Sequence, residues 1–317
     1  MDALSDLLSV VGLSGGVFID AEFTEPWSVA GRVSAEACRP FMTPPQEVIG
    51  FHYVTEGRFR VRIEGEPECE IGAGEAVMLP RNDMHAFGYG RDLPPILISD
   101  LIQPPNALGM SRMVHGGGGP RTRLICGFLG GNEQLRPLLV GLPRVMPLRL
   151  ADLPGGDWLE GGLAYAAQTL AEGRPGAATV LTKISELLFT ELVRHYLGEL
   201  PPEQTGWLAG LRDPIAGRAL SLLHTRVAEP WTTEALAGEV AMSRSAFADR
   251  FTAVVGQPPM RYLTAWRMQL AQQKLRETHA NVAQIAFDVG YESEAAFARA
   301  FRRECGVPPA QWRRDAR

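Results

Sequence analysis

The 317-residue sequence has only four cysteines and no apolar run long enough to span a membrane. The cysteines (Cys38, Cys69, Cys126 and Cys305) are far apart in the chain, and none belongs to a Cys-x-x-Cys pair. A disulfide framework like that of small secreted proteins is therefore not expected. The first residues also lack the basic start of a signal peptide. These absences predict a cytoplasmic protein that neither spans nor binds a membrane.

An excess of positive charge is also missing from the chain as a whole, whose formal charge is −5. The charge is unevenly distributed. Residues 213–317 carry 14 Lys and Arg against 11 Asp and Glu, which gives +3, whereas residues 1–212 carry 17 against 25, which gives −8. This asymmetry predicts a mildly basic part that approaches nucleic acid, attached to an acidic part with another role.

One pattern occurs twice within residues 233–314. Six residues recur at one constant offset: Ser243, Phe247, Phe251, Gly256, Pro258 and Pro259 return as Ser293, Phe297, Phe301, Gly306, Pro308 and Pro309. The preceding pair Leu236-Ala237 returns as Ile285-Ala286 one residue out of this offset, which predicts a longer turn in the second copy. Each copy predicts two helices joined by a tight turn, because serine caps helix N-termini and glycine followed by proline ends a helix. Thr232 or Thr233 is expected to cap the first helix.

The segment between the two copies, residues 259–278, predicts one long helix. Its apolar residues lie on or near one stripe: Tyr262, Leu263, Trp266, Leu270 and Leu275. A stiff helix of this length would hold the second helices of the two copies at a fixed separation. Such helices can enter adjacent major grooves on one side of B-DNA, which lie about 34 Å apart.

Residues 213–314, including the closing Gly-Val-Pro-Pro-Ala-Gln-Trp-Arg-Arg segment, resemble the C-terminal DNA-binding domain of AraC/XylS-family bacterial transcriptional regulators. The resemblance implies an all-α domain with two helix-turn-helix units over residues 213–317. It also implies double-stranded DNA and RNA polymerase as partners, and a homodimer. A helical bundle that binds no nucleic acid would explain the apolar spacing but not the duplication with its longer second turn.

The base-contacting positions are expected on the faces of the second helices that the phenylalanines leave exposed. By the resemblance they are Ser245, Ala248 and Asp249 in the first copy and Ala295, Ala296 and Arg299 in the second. Phosphate contacts are expected from Arg244, Arg302 and Arg303. Arg299 is the strongest candidate, because a guanidinium can donate two hydrogen bonds to one guanine. Asp249 could accept a hydrogen bond from cytosine, or pair with Arg250 or a neighbouring loop.

Residues 16–129 consist of short alternating apolar runs separated by Gly, Pro and Asn, which predict the strands of a sandwich or barrel. The predicted strands are 16–23, 27–30, 47–55, 58–63, 68–71, 76–79, 96–101 and 122–129, after an amphipathic helix at 1–13. Residues 51–57 and 74–85 resemble the two motifs of a cupin barrel. The His115-Gly-Gly-Gly-Gly-Pro120 run with residues 124–127 is typical of the cupin-type sensor of one AraC-family subgroup.

The sequence departs from metal-binding cupins at the first motif. Thr43, Pro45 and Gly50 stand where those proteins carry two histidines and a glutamate, and only His85 of the second motif is in its place. A cupin-type small-molecule enzyme is therefore the alternative function, and it lacks a complete ligand set. The protein is not expected to be an enzyme.

His52, His85 and Cys126 are the residues expected to sense a signal. His52 is two residues beyond the vacant glutamate position and so faces the barrel interior. Two imidazoles and a thiolate suit zinc with one open position, with His115 as a fourth ligand. In a second interpretation the histidines form hydrogen bonds across a ligand pocket and Cys126 is a small apolar residue. In a third, Cys126 is a redox-sensing thiol, with Cys38 near it in space.

Residues 130–200 predict helices at 157–171 and 177–197 that cover the barrel or pair with a second subunit, and the resemblance favours the dimer. Residues 201–212 predict a linker.

The expected fold class is α+β: a cupin-like sensor barrel (1–129), a helical dimerisation segment (130–200), the linker (201–212) and the DNA-binding domain (213–317). The expected function is sequence-specific regulation of transcription in response to a small molecule, a metal or a redox signal. An architectural DNA binder without a sensor would leave most of the chain without a role.

Overall fold

The computed structural model describes residues 13–34, 44–104, 110–132, 135–201, 204–278 and 280–315, together with Leu4, Ser5, Leu8 and Cys38. The predicted helix at 1–13 and the predicted ligand position Thr43 fall mostly or wholly outside these residues. The chain divides into two units. We call residues 13–131 and 142–196 the sheet unit, and residues 1–12, 132–141 and 197–317 the helical unit.

The strands and helices are numbered in chain order. The strands are β1 (Ser14–Thr24), β2 (Trp27–Gly31), β3 (Glu47–Glu56), β4 (Arg58–Arg62), β5 (Cys69–Gly72), β6 (Glu75–Leu79), β7 (His85–Tyr89), β8 (Ile96–Leu97), β9 (Met110–Gly116), β10 (Arg121–Gly131) and β11 (Met146–Arg149). The helices are α1 (Arg136–Gly141), α2 (Gly156–Ala171), α3 (Ala177–Glu199), α4 (Trp207–Arg212), α5 (Pro214–Thr225), α6 (Thr233–Glu239), α7 (Arg244–Val255), α8 (Pro259–Glu277), α9 (Val282–Asp288), α10 (Glu294–Cys305) and α11 (Pro309–Asp315).

Two β-sheets form the body of the sheet unit. Their strand orders are β11-β6-β3-β10-β1-β9 and β5-β4-β7-β2-β8. β4 shows why one face is apolar, since Phe59 and Val61 are buried while Arg58 and Arg60 alternate with them on the exposed face. Side chains from both sheets meet in one core, where the Phe23 and Trp27 rings stack at 3.9 Å. The predicted barrel-like architecture is confirmed.

Three strands were not predicted from the sequence: β7, β9 and β11. β11 pairs antiparallel with β6, so residues 130–200 are not purely helical as expected. Pro147 is compatible with this strand because β11 lies at the edge of its sheet. The strand expected at 96–101 is also shorter, because β8 ends at Leu97 and a 3₁₀ turn follows over Ile98–Asp100.

The helical unit confirms the repeated pattern. The turn in the first copy is residues 240–243 and that in the second is residues 289–293, one residue longer as predicted. Thr232, not Thr233, caps α6: its hydroxyl accepts a hydrogen bond from the Ala235 N–H at 3.0 Å. No helix in the described part of the chain is both long and apolar enough to cross a membrane.

The predicted linker at 201–212 is corrected in its second half. Residues 207–212 form α4, which packs within the helical unit instead of connecting two units. The Gly206 N–H donates to the Val254 carbonyl at 2.7 Å, and Trp207 Nε1 donates to the Tyr262 hydroxyl at 2.9 Å. A half-buried tryptophan that satisfies its N–H in this way anchors a helix to its neighbours.

Candidate nucleic-acid interface and barrel cavity

The second helices of the two copies, α7 and α10, begin and end in the same way. Ser243 Oγ accepts from the Ala246 N–H at 3.4 Å, and Ser293 Oγ accepts from the Ala296 N–H at 3.2 Å. Each helix ends at a glycine in the left-handed region, with φ of 86° at Gly256 and 81° at Gly306. These local signals give two equivalent helices, which we call the reading helices.

One face of each reading helix is held in a phenylalanine core. Phe247 and Phe251 of α7 are fully buried with ring centroids 5.7 Å apart. Phe297 and Phe301 of α10 repeat the arrangement at 5.5 Å. The predicted base-contacting residues lie away from this core: Ser245, Asp249, Ala295 and Arg299 are exposed, and Ala248 and Ala296 are half-buried. Their contact with bases remains a prediction.

The predicted phosphate-contacting arginines are exposed as well. Among the described residues, Arg244, Arg299 and Arg302 form no ion pair, whereas Arg303 Nε lies 3.0 Å from Glu304 Oε1. A side chain that already has a carboxylate partner gives up part of that interaction when it binds phosphate. Arg302 therefore gives up less existing interaction than Arg303 when it contacts a phosphate.

Arg250 has a different partner from the one that the sequence suggested. It pairs with Asp213, not Asp249, with Nη2 of Arg250 lying 2.7 Å from Oδ2. Asp213 also caps α5 by accepting from the Ile215 and Ala216 N–H groups. Burial alone would raise the pKa of the Asp213 carboxyl, but the hydrogen bonds from Arg250 and the two N–H groups outweigh burial and lower this pKa below its usual value. Asp213 thus joins the first reading helix to α5.

Arg267 of α8 joins the two helix-turn-helix units. Its guanidinium donates to the Val227 carbonyl at 2.8 Å and the Glu229 carbonyl at 2.7 Å, just before the first unit, and lies over the Tyr291 ring in the turn of the second. Gly290 makes room for this contact. A Cβ at Gly290 would lie 2.6 Å from Arg267 Nη2 and 2.8 Å from the Ala228 carbonyl oxygen, and the residue has φ of +85°. Sequence reasoning missed this connection, whose only signal was the glycine in the longer turn.

A buried hydrogen-bonded group connects α4, α5 and α8. The Tyr262 hydroxyl receives the Trp207 N–H and lies 2.6 Å from Nε2 of His224. The His224 ring stacks on Trp266 at 4.2 Å. Burial lowers the pKa of His224 from 6.5 to about 4, so this imidazole is neutral at pH 7. The Tyr262 hydroxyl can then donate to Nε2 while it accepts from Trp207.

The sheet unit contains a cavity of about 650 Å³, which is within the usual size of small-molecule sites. One row of side chains across the larger sheet contributes to its wall, because cross-strand partners share a face. Ser111 is paired with Ile19, Ile19 with Cys126, and Cys126 with His52. All four line the cavity, together with His85. His52, His85 and Cys126, which the sequence singled out, therefore line the same cavity.

The two histidines interact with each other. His52 Nε2 lies 3.0 Å from His85 Nε2, and His85 Nδ1 lies 3.0 Å from the Asp83 carbonyl oxygen. Burial lowers the pKa of His52, and the nearby His85 lowers it further. Burial lowers the pKa of His85 as well, although the Asp83 carbonyl opposes this effect. Both imidazoles are therefore neutral at pH 7 and share one hydrogen bond.

The predicted zinc site is corrected by this geometry. Among the described residues, no group of three or more His, Cys, Asp or Glu side chains could hold a metal ion. His52 and His85 direct one nitrogen each at the other, and Pro45 and Gly50 supply no ligand atom at the vacant cupin positions. His115, the expected fourth ligand, is half-buried and does not line the cavity. The residues present do not fit the metal centre of an enzymatic cupin.

The Cys126 thiol is not in the state that redox sensing requires. Its side chain is buried, and burial raises the pKa of this thiol far above its usual value, with a smaller contribution from Asp20. The thiolate is the reactive form, so burial disfavours the reaction of Cys126 with an oxidant. None of the four cysteines, all described, forms a disulfide. The interpretation of Cys126 as a small apolar wall residue agrees better with the structure than the redox interpretation.

Comparisons with known proteins agree with both units. The Cupin family profile matches residues 2–198, and a Helix-turn-helix domain profile matches residues 236–315. A putative AraC-like transcription regulator of Streptomyces lividans is 34% identical over 270 residues, which are 84% of this chain and 87% of that protein. The chain belongs to the AraC family of transcription regulators. It is a DNA-binding regulator with a cupin domain followed by a helix-turn-helix domain.

Two further comparisons concern one relative and one solved structure. The RCS-specific HTH-type transcriptional activator RclR of Escherichia coli K12 is 27% identical over 321 residues, covering 100% of this chain and 99% of RclR. The solved structure is the DNA-binding domain of AdpA in complex with a target DNA, and its sequence is 31% identical to this chain. The match covers 32% of this chain and 92% of the AdpA chain, with a TM-score of 0.31.

Proposed function

We propose that this AraC-family regulator reads DNA with α7 and α10 in two adjacent major grooves, and that its sheet unit controls this reading by binding a small molecule. The observation that carries the first part is the equivalence of the two reading helices, with matching caps, ends and phenylalanine cores. The helix α8 between them has 19 residues and is therefore about 28 Å long. This length suits a helix that holds the two reading helices against one side of a DNA duplex.

The second part of the proposal rests on the cavity of the sheet unit. It is mostly apolar with a few polar groups, which is the usual composition of a ligand site. A metal or a redox signal is disfavoured, because the described residues form no ligand set of three and burial raises the pKa of the Cys126 thiol. A cupin-type enzyme is disfavoured for the first of these reasons. We expect RNA polymerase to be the partner that responds to DNA occupancy, and the bacterial cytoplasm to be the location.

Sequence-specific reading is tested by a salt-titrated binding assay on DNA selected from random sequence and on unselected DNA. The expected result is selected DNA bound at least about a thousandfold more tightly near physiological salt, with affinity for both falling as salt rises. Equal affinity for both DNA pools at every salt concentration would show a sequence-independent binder and contradict the proposal.

We also propose that two copies pair through α2 and α3. Trp158 and Tyr165 are 62% and 56% exposed, and with Val180 they line an apolar groove between these helices. A groove of this kind is an expected interaction site. A second copy is the proposed occupant because the DNA-binding region carries only +3 charge, so that pairing would strengthen a weak single interaction.

Sedimentation equilibrium tests the pairing. The wild-type chain is expected to dimerise, and Tyr165→Asp is expected to be a monomer. The matched control is Val114→Asp, which changes another exposed apolar residue (50% exposed) outside the groove and should leave the dimer intact. A wild-type monomer, or dimers in both variants, would contradict this interface.

A further inference from the structure

The two reading helices carry opposite charges at the same position of the repeat. Asp249 of α7 and Arg299 of α10 are related by the same offset as the phenylalanines of the two copies. Each lies two residues from both buried phenylalanines of its helix, which places it about 200° around the helix from them, on the opposite face. Both side chains are exposed. A groove that receives the outer face of either helix therefore meets this residue near the middle of the helix.

The first residues of the two helices show the reverse arrangement of charge. Arg244 begins α7, and its counterpart Glu294 begins α10. An acid at a helix N-terminus interacts favourably with the helix dipole, so the stability of α10 is sufficient to explain Glu294. A cation at the same place is unfavourable, and an acid in the middle of a helix gains nothing from the dipole. The stability of α7 therefore explains neither Arg244 nor Asp249.

Asp249 has no ion-pair partner among the described residues. Its neighbour Arg250 pairs with Asp213 instead, at 2.7 Å. The middle of α7 therefore presents an unpaired carboxylate, whereas the middle of α10 presents an unpaired guanidinium. Phosphates repel a carboxylate that approaches DNA, and the carboxylate also loses hydrating water there. Its place on the outer face of α7 is favourable only where a base donates a hydrogen bond to it.

We infer that Asp249 selects a cytosine for the first reading helix, as the counterpart of the guanine expected at Arg299. This inference rests on the proposed placement of α7 and α10 in adjacent major grooves, and it names the base that α7 requires. Cytosine presents its N4 amino group in the major groove, and a carboxylate accepts a hydrogen bond from it. Adenine presents an amino group too, but its neighbouring N7 is an acceptor that repels the second carboxylate oxygen. Two equivalent helices thus require different base pairs.

Asp249 acts mainly by weakening the binding of incorrect DNA. Where the base pair offers no suitable donor, the carboxylate is left without a partner beside the phosphates, and that complex is destabilised. Replacing Asp249 by a neutral residue should therefore have two opposite effects. Affinity for unselected DNA should rise, and the preference for cytosine should disappear. A residue that only solvates the outer face of α7 would change no base preference.

Asp249→Asn is the variant that tests the base assignment, because it keeps the size of an exposed side chain and changes its hydrogen-bonding groups. An asparagine amide both donates and accepts, and it pairs with N6 and N7 of adenine. Affinity of the full-length protein is measured on selected DNA in which each base pair is replaced in turn. At one position the wild type should prefer cytosine about tenfold, and Asp249→Asn should prefer adenine there. Affinity of the variant for unselected DNA should rise about two- to fivefold, the usual range for one exposed charge interaction.

Glu294→Gln is the matched control, since it removes an exposed acid from the end of the other reading helix. It should keep the wild-type preference for cytosine at the position that Asp249→Asn alters. The inference would be overturned if Asp249→Asn kept the wild-type preference at every base pair. A wild-type preference for guanine, adenine or thymine at the altered position would overturn it as well.

The place of the altered base pair separates this inference from the proposed function. It should lie about one helical turn from the base pair whose discrimination Arg299→Ala lowers. If Asp249→Asn changed no base preference while selected DNA was still bound more tightly than unselected DNA, the role of Asp249 would be wrong and sequence-specific reading would stand. If Asp249→Asn and Arg299→Ala altered base pairs within one groove segment, the placement of the two helices in adjacent grooves would be wrong instead.

Discussion

Arg299 is an exposed cation near the middle of the second reading helix, on the face away from Phe297 and Phe301. It forms no ion pair with other described residues, so its guanidinium is available to a base edge. Arg299→Ala should lower affinity for selected DNA by about 1–3 kcal/mol and reduce discrimination at one base pair. Quantitative binding to selected DNA and to its single-base variants measures both effects.

Arg302→Ala is the matched control for Arg299. As a phosphate-contacting residue, Arg302 should weaken binding to all sequences alike and lower the slope of log affinity against log salt by about 1. If both variants lose affinity uniformly, Arg299 does not read a base.

His224 makes the stability of the helical unit dependent on pH. Its folded-state pKa is lowered to about 4, so between pH 6.5 and 4 the unfolded chain binds more protons than the folded one. This contribution to stability is complete above pH 6.5 and is lost as the pH falls towards 4. The full loss is on the order of 3 kcal/mol. Urea unfolding at pH 7 and pH 4.5 should show the wild type losing more stability than His224→Gln, whose side-chain oxygen can still accept from Tyr262.

His115→Gln serves as the control for that comparison, since His115 is only half-buried. It should follow the wild-type pH dependence. Identical pH dependence in His224→Gln and the wild type would show that His224 is not the group responsible.

At the residue scale, the sequence predicted positions better than interactions. Strand alternation correctly placed His52 inside, and the second cupin motif correctly placed His85. The sequence offered hydrogen-bonded histidines only as a second interpretation beside the zinc site. It could not decide between the two, because the 3.0 Å contact of the rings joins β3 and β7, which are in different sheets. The partner of Arg250 was missed for the same reason: Asp213 is 37 residues away in the chain.

At the element scale, each of the two turns of the repeat contains one residue in the left-handed backbone region, and the residue differs between the turns. Ala241 in the first turn has φ of +53°, and Gly290 in the second has φ of +85°. Gly290→Ala should lower the free energy of unfolding by about 1–3 kcal/mol, because the backbone conformation is strained for alanine and the Ala228 carbonyl blocks the new Cβ. It should also displace the second reading helix through Arg267 and weaken DNA binding. Urea unfolding and DNA titration measure the two effects.

The reverse substitution in the first turn is the control. Ala241→Gly relieves a left-handed alanine and should be neutral or stabilising by up to about 1 kcal/mol. A Gly290→Ala protein as stable as the wild type would show that neither φ nor the Arg267 contact constrains this turn.

Helices were predicted from sequence more accurately than strands, for a physical reason. Ser243, Ser293, Gly256 and Gly306 act on hydrogen bonds within a few residues, so their signals are local and were confirmed. β11 forms only because β6 offers it a partner, and its short Met-Pro-Leu-Arg sequence gives little local indication of a strand. β9 runs parallel to β1, and such pairing again depends on residues far away in the chain.

At the scale of the whole molecule, the units do not follow the boundaries drawn from the sequence. Those boundaries were placed near residues 130, 201 and 213, where the composition and the apolar spacing of the sequence change. The structure instead groups residues 142–196 with the strands, and residues 132–141 with the helices of the DNA-binding region. Long-range contacts such as the β6–β11 pairing decide this grouping, and these contacts cannot be predicted from the local sequence.

In the proposed complex with DNA, α7 and α10, joined by α8, contact two adjacent major grooves on one side of the duplex. Hydroxyl-radical footprinting and guanine-methylation protection on selected DNA test it most directly. Two protected major-groove segments are expected on one face of the duplex, about 34 Å or one helical turn apart. Protection of a single groove segment, or of none at any salt concentration, would contradict it.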